Sequence, residues 1–260
     1  MDAGSPVLPE ISDNHARGLR RDLFRELGDH RARHRHVLDA RLTMVGMPLR
    51  GVRERRNSYL RAARAIRDGC FGFVMADGFI SGVLIEPCLL AHAEGDEPAL
   101  AMTTVFVTMG RHYWEMTRFD AGRVSHHVVE RMFQRLVTTR TADVRDELAV
   151  AFSWARLLQV ELAVAVEQAR IVEFPIPSPR GVLLARRDPD TRRFNARTWL
   201  RNGMNRRVDA SVAALQNWRT EADRTARAAA FTTLASSPEH AWWQRARSAR
   251  PVFPDARDPG

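Results

Sequence analysis

The sequence predicts an α+β fold in which a small antiparallel sheet is packed by long helices, with helical extensions at the N- and C-terminal ends. Residues 193–201 alternate between two kinds of side chain, which is the pattern of a strand with one covered face. An apolar stripe at helical spacing, from Val144 to Ala165, predicts a long buried helix over 143–169. Runs rich in Val, Ile, Phe and Thr predict the remaining strands, over 71–75, 79–85, 100–109, 112–118 and 182–185.

Changes in composition divide the chain into four parts. Residues 71–110 contain five acidic residues and no arginine, so we expect them to face protein rather than a polyanion. The flanking stretches are rich in arginine, and their apolar residues recur at helical spacing. The predicted parts are a basic helical N-terminal region (1–70), an α+β core (71–201), a C-terminal helical extension (202–250) and a disordered tail (251–260).

The charge of the chain indicates a polyanionic partner. All 40 basic residues are arginine, and their excess over 31 acidic residues gives a formal net charge of +9. Nucleic acid is the first partner that such an excess favours, and an anionic membrane surface is the second. The absence of lysine excludes Schiff-base chemistry, a P-loop, and nucleases that use a lysine beside paired carboxylates.

Cysteine usage and the N-terminal sequence favour a cytoplasmic protein. Cys70 and Cys88 stand far apart without CxxC partners, so neither a disulfide framework nor a structural zinc site is predicted. The first residues lack the basic and apolar regions of a secretory signal, and no apolar run approaches the roughly 20 residues of a membrane span. We expect no cofactor, no metal and no membrane span.

The stretch from Arg123 to Leu136 predicts a helix with a basic row on one face. Ser125 is a candidate N-cap, because its hydroxyl can accept an N–H of the first turn. His127, Arg131 and Arg135 follow one another at four-residue spacing, so their side chains project in one row. One imidazole and two guanidiniums suit a phosphate, since guanidiniums bind its oxygens in a forked geometry and imidazole titrates near neutral pH.

A family resemblance rests on the same stretch, which reads Ser125-x-His127-Val128-x-x-Arg131-x-x-x-Arg135. Residues 123–201 resemble the RelE-like members of the barnase/EndoU/colicin/RelE ribonuclease superfamily, in which such a helix precedes a second helix and an antiparallel hairpin. The resemblance implies a metal-independent, toxin-like endoribonuclease that acts on RNA phosphodiesters.

The resemblance also implies roles for individual residues. His127 would be the general acid or base, Arg131 and Arg135 would stabilise the phosphorane, and Thr198 would donate a hydrogen bond. The other residues of the predicted RNA-binding site are Arg123 and Arg197, for flanking phosphates, and Trp199, for stacking on a base. The alternation in 193–201 places Thr198 on the face of Phe194, and Arg197 with Trp199 on the opposite face.

Three alternatives remain open. A non-catalytic nucleic-acid-binding protein of a mobile element would bind through the basic helices between Arg17 and Arg67. A protein-docking effector would use the C-terminal helices, with Trp242 and Trp243 as anchors. A metal hydrolase that uses His126, His127 and Glu130 is possible but disfavoured, because adjacent helical side chains point about 100° apart and the two histidines cannot easily share one ion.

Overall fold

The fold is described from a computed structural model. The structure describes residues 11–45, 52–76, 79–90, 96–109, 114–160, 173–188, 191 and 193–220. The helices within these residues are α1 (Asp13–Val45), α2 (Val52–Gly69), α3 (His126–Leu136), α4 (Thr141–Val160) and α5 (Arg206–Thr220). The strands are β1 (Phe71–Ala76), β2 (Phe79–Leu90), β3 (Glu97–Met109), β4 (Trp114–Ser125), β5 (Glu173–Pro177), β6 (Gly181–Arg187) and β7 (Phe194–Arg201).

All seven strands form one sheet in the order β1-β2-β3-β4-β7-β6-β5. Strands β2, β3 and β4 contain 12, 13 and 12 residues and pair antiparallel along most of their length. Strand β7 lies parallel to β4 and antiparallel to β6, so β4 and β7 join two antiparallel units. At this junction the backbones approach so closely that a Cβ on Gly122 would clash with the carbonyl of Phe194.

The fold class predicted from the sequence is wrong. The sheet is seven-stranded, mixed and strongly curled into a half-barrel, whereas the sequence indicated a small antiparallel sheet. The physical reason is that side-chain alternation reveals a strand but not its neighbour. The chain returns from β4 through α3, α4, β5 and β6 before β7 pairs with β4, and this return makes the pairing parallel.

The first helix belongs to the core and is not an N-terminal extension. Leu23 and Leu27 of α1 are fully buried. They belong to the same core cluster as the buried residues of α3 and α4. Helix α2 packs against a different set of β2 side chains. Its residue Ile66 lies in a second core cluster with Ile80 and Leu84 of β2. Helices α1 and α2 therefore lie against different sets of sheet side chains, and the region predicted as one basic unit is divided between them.

The contribution of α1 to the core gives a stability prediction. Replacing Leu23 by Ala is expected to lower the free energy of unfolding by about 2–5 kcal/mol, because the site is fully buried and would leave a cavity. Leu60 on α2 is 41% exposed, so Leu60→Ala should change the free energy of unfolding by less than about 1 kcal/mol. Urea unfolding of the two variants measures the difference. Equal, small losses would contradict the placement of α1 in the core.

The strand predicted over 193–201 is confirmed as β7, but its alternation is interrupted. The register with β6 shifts between Leu184 and Ala185, where Arg197 of β7 has no partner in β6. This bulge reverses the sides taken by the following residues, so Trp199 lies in the same core cluster as Phe194. The predicted position of Trp199 on the polar face is therefore wrong.

Several predictions fall partly or wholly beyond the described residues. Helix α4 is described to Val160, and residues 161–169 of the predicted long helix lie outside the described residues. Helix α5 covers the beginning of the predicted C-terminal extension, whereas Trp242, Trp243 and the predicted tail lie outside the described part of the chain. Among the helices that are described, none combines the length and apolarity that crossing a membrane requires.

Candidate nucleic-acid interface

Helix α3 presents an apolar face to the core and a basic row away from it. Its four buried residues are Val128, Val129, Met132 and Phe133. Ser125 occupies the N-cap position in an extended conformation, although its hydroxyl makes no capping hydrogen bond. Because β4 continues directly into α3, the position of the helix is fixed by the sheet at its first residue.

Two arginines of this row meet on strand β7. The Arg131 guanidinium donates a hydrogen bond to the Thr198 hydroxyl (3.2 Å), and Arg135 donates to the same oxygen (3.3 Å). Arg135 also donates to the backbone carbonyl of Trp199. The structure therefore brings together Arg131, Arg135 and Thr198, three of the residues selected from the sequence.

Among the residues that the structure describes, no acid balances the charge of this arginine pair. No carboxylate lies within ion-pair distance of Arg131 or Arg135 among the described residues. Burial lowers the pKa of Arg135, and the positive charge of Arg131 lowers it further. Carboxylates elsewhere in the fold pair with Arg20, Arg31, Arg123, Arg145, Arg180, Arg193 and Arg197. Two adjacent guanidiniums without a carboxylate partner among the described residues have the charge and the donors that an anion requires.

The two arginines predicted to bind flanking phosphates are engaged with acids. Arg123 makes hydrogen bonds of 2.5 and 2.9 Å to the Asp120 carboxylate. Burial alone lowers the pKa of Arg123, but the hydrogen bond and charge of Asp120 outweigh that effect and raise it. Arg197 is exposed and lies 3.6 Å from a Glu173 carboxylate oxygen. Arg123 is thus held by a local ion pair, whereas Arg197 is exposed and reaches solvent.

Trp199 does not offer a surface to a base. Its side chain is fully buried, and its indole N–H donates to the Ser178 hydroxyl at 3.1 Å. Gly181 lies so close to the ring that a Cβ there would clash with it. The residue holds β7 in the core through these contacts, and the stacking role implied for it does not fit this geometry.

His127 lies one helical turn before Arg131 and is open to solvent. Its side chain is 68% exposed, and its Nδ1 atom is 3.8 Å from a Glu130 carboxylate oxygen. Glu130 also lies 3.5 Å from the Arg20 guanidinium of α1. The imidazole is thus accessible from solvent, and the Glu130 carboxylate lies beside it.

A surface cleft of about 770 Å³ lies beside the C-terminal end of α3. Arg135 and Arg201 supply its positive charge, and its lining comprises Ile11, Ser12, Asp13, Gln134, Arg135, Val137, Arg201 and Met204. Asp13 accepts a hydrogen bond from Gln134 at 2.6 Å across this region. The arginine row therefore reaches the cleft at Arg135, whereas His127 is not among its lining residues.

The sequence did not indicate the residues that surround the first turn of α3. His126 Nδ1 lies 2.9 Å from a carboxylate oxygen of Glu97, a residue of β3. Glu97, His126 and His127 each place a ligand atom within 4.8 Å of the others, as a metal site requires. No local pattern could have indicated Glu97, because it precedes His126 by 29 positions and lies on β3, whereas His126 lies on α3.

A second histidine pair on α1 has a structural role. His30 Nε2 donates to the backbone carbonyl of Gly69 at 3.2 Å, and its ring packs on that of Phe71 with centroids 4.8 Å apart. Desolvation lowers the pKa of His30, and the hydrogen bond to Gly69 opposes this shift. His34 Nδ1 bonds to the His30 carbonyl at 2.9 Å. These contacts connect α1 to the end of α2.

Comparisons with family models, with curated proteins and with solved structures gave no match for this chain.

Proposed function

We propose that this chain is a metal-independent endoribonuclease whose phosphate site consists of Arg131, Arg135 and Thr198. The observation that carries the proposal is the convergence of two guanidiniums, without a carboxylate partner among the described residues, on one hydroxyl. A phosphate oxygen can replace the hydroxyl as their common acceptor. Phosphate binding at Arg131 and Arg135 would not first have to break an ion pair. Phosphate binding is therefore more favourable here than at the arginines that are paired with carboxylates.

The proposed reaction uses His127 for proton transfer. The imidazole accepts the proton of a ribose 2′-OH, and the 2′ oxygen bonds to the adjacent phosphorus. The bond from phosphorus to the 5′ oxygen then breaks, and a proton is returned to that oxygen by the imidazolium or by water. Arg131 and Arg135 stabilise the additional negative charge of the phosphorane.

The order of the elements supports this proposal. Helix α3 is followed by α4 and then by the antiparallel strands β5, β6 and β7, which is the order that the RelE-like resemblance implies. Strand β7 supplies Thr198 to the end of the basic row, where the resemblance expects a polar residue.

Binding without cleavage is a second candidate function, and the position of His127 favours it. The side chain is 68% exposed and does not line the cleft that Arg135 reaches. In this case the arginine pair holds a nucleic-acid backbone, and His127 is one more surface residue.

One gel separates these functions. Purified protein is incubated with end-labelled single-stranded RNA and with DNA of the same sequence, each with EDTA and without it. The ribonuclease proposal predicts cleavage of RNA alone, at the same rate in EDTA. A shifted but intact RNA band supports the second candidate, and cleavage that EDTA abolishes contradicts both.

The arginine pair also predicts a salt-dependent affinity. For single strands, the logarithm of the binding constant falls with the logarithm of salt concentration by about 0.7 per neutralised phosphate. The one phosphate held by the two guanidiniums should therefore contribute a slope of about −0.7, measured by fluorescence anisotropy with a 2′-O-methyl RNA that cannot be cleaved. An affinity that is flat from low to high salt would contradict binding through phosphates.

A further inference from the structure

We propose that Glu97, His126 and His127 form a binding site for one divalent transition-metal ion of the Zn²⁺ type. Glu97 stands at the start of β3, and the two histidines are the first residues of α3. Their ligand atoms all lie within 4.8 Å of one another. Two imidazoles and one carboxylate are a ligand set that binds Zn²⁺ and related ions and leaves coordination positions for water.

The distance between the two buried ligand atoms fits a shared ion. His126 Nδ1 is 2.9 Å from Glu97 Oε1. With bonds of about 2.0–2.2 Å, two neighbouring ligands lie about 3.0 Å apart around an octahedral ion and about 3.4 Å apart around a tetrahedral one, so the observed spacing fits the first directly and the second after a small movement. The nitrogen is buried, and its direction toward the oxygen does not satisfy hydrogen-bond geometry. An ion between the two groups would give this imidazole nitrogen a well-directed partner.

Adjacent histidines can share an ion here because the side-chain torsions bring their rings together. Side chains of neighbouring helical residues leave the backbone about 100° apart, which argued against a shared ion. The rings of His126 and His127 nevertheless lie 3.8 Å apart between centroids, tilted by 37°. His126 is largely covered and faces β3, whereas His127 is exposed, so the site would open toward solvent through His127.

Glu130 places a negative charge near His127. Its carboxylate oxygens lie 3.8 Å from His127 Nδ1 and 3.5 Å from the Arg20 guanidinium. At 3.8 Å the carboxylate and the imidazole are too far apart for a hydrogen bond, so Glu130 does not fix the orientation of the ring. Its charge nevertheless favours a cation bound by His127.

Metal binding and proton transfer would compete for His127. An imidazole nitrogen that binds an ion is not available as a proton acceptor, so Zn²⁺ would inhibit the cleavage proposed above. The metal site itself does not depend on that proposal. Its test uses metal alone, without RNA, so failure of the metal site and failure of the ribonuclease proposal are separate results.

The test is calorimetric titration of ZnCl₂ into the full chain, prepared without a polyhistidine tag and stripped of metal. We expect one ion per chain, and binding at least tenfold weaker in His127→Ala and in Glu97→Gln, since even residues that only orient ligands change affinity by about 10–100-fold. His15→Ala removes an exposed histidine of α1 and should bind as the parent does.

Spectroscopy with Co²⁺ provides a second measurement that does not depend on heat signals. Visible absorption bands should appear at one equivalent of Co²⁺ in the parent chain and be lost in His127→Ala, whose exposed position leaves the core intact. Absence of saturable Zn²⁺ binding in the parent would overturn the proposal. Unchanged binding in His127→Ala would also overturn it, because the ion would then lie elsewhere.

Discussion

Replacing His127 by Ala is expected to slow RNA cleavage by about 10²–10⁴-fold, measured in EDTA, while the affinity for 2′-O-methyl RNA stays within about twofold. The substitution removes the group that transfers the proton in the transition state. It does not remove the guanidinium charges that hold the phosphate in the ground state. The side chain is 68% exposed and contacts little of the core, so the thermal midpoint should also remain that of the parent.

His15 provides the control for this substitution. It is exposed on α1, so His15→Ala removes an accessible imidazole that is not part of the basic row. Its cleavage rate should equal that of the parent. If His127→Ala cleaves as fast as His15→Ala, the assignment of proton transfer to His127 is wrong, and the second candidate function gains support.

Replacing Arg131 and Arg135 together by Ala is expected to lower the affinity for 2′-O-methyl RNA by roughly a hundredfold. A charge-assisted hydrogen bond contributes about 1.5–3 kcal/mol, and we take the lower value because Arg131 is exposed to solvent and screened. The cleavage rate should fall by a larger factor than the affinity, since the same charges also stabilise the phosphorane. Anisotropy titration and single-turnover kinetics measure the two losses.

The matched control is the pair Arg17 and Arg21 on α1. Both are exposed and stand four residues apart on a helix, as Arg131 and Arg135 do, so the double alanine variant removes the same charge. Its affinity should fall by no more than about threefold, because these two arginines do not converge on Thr198, although α1 packs against α3. A larger loss for the α1 pair than for the α3 pair would place nucleic-acid binding on the N-terminal helices.

Helix periodicity was sufficient to predict the basic row, because it is a local property. The spacing of His127, Arg131 and Arg135 fixes them on one face whatever surrounds the helix, and Val128 and Met132 are buried on the other face as the pattern requires. The strand at 193–201 was predictable for the same reason, since its alternation spans only eight residues.

The tertiary arrangement could not be predicted, because it depends on residues distant in sequence. Nothing in the alternation of β7 reveals that it runs parallel to β4, or that a bulge at Arg197 turns Trp199 into the core. The partners of Arg123 and Arg197 are acids whose approach depends on how strands are joined. Charge alone therefore overestimates the number of arginines available to a phosphate.

Photo-cross-linking tests most directly the claim that RNA binds where α3 meets β7. Single-stranded RNA that carries 4-thiouridine is bound to the unmodified chain at low salt and irradiated, and the cross-linked peptides are identified by mass spectrometry. We predict adducts in peptides from α3 (His126–Leu136) and β7 (Phe194–Arg201) that disappear at high salt. Adducts confined to α1 and α2, with α3 and β7 unlabelled, would contradict the proposed interface.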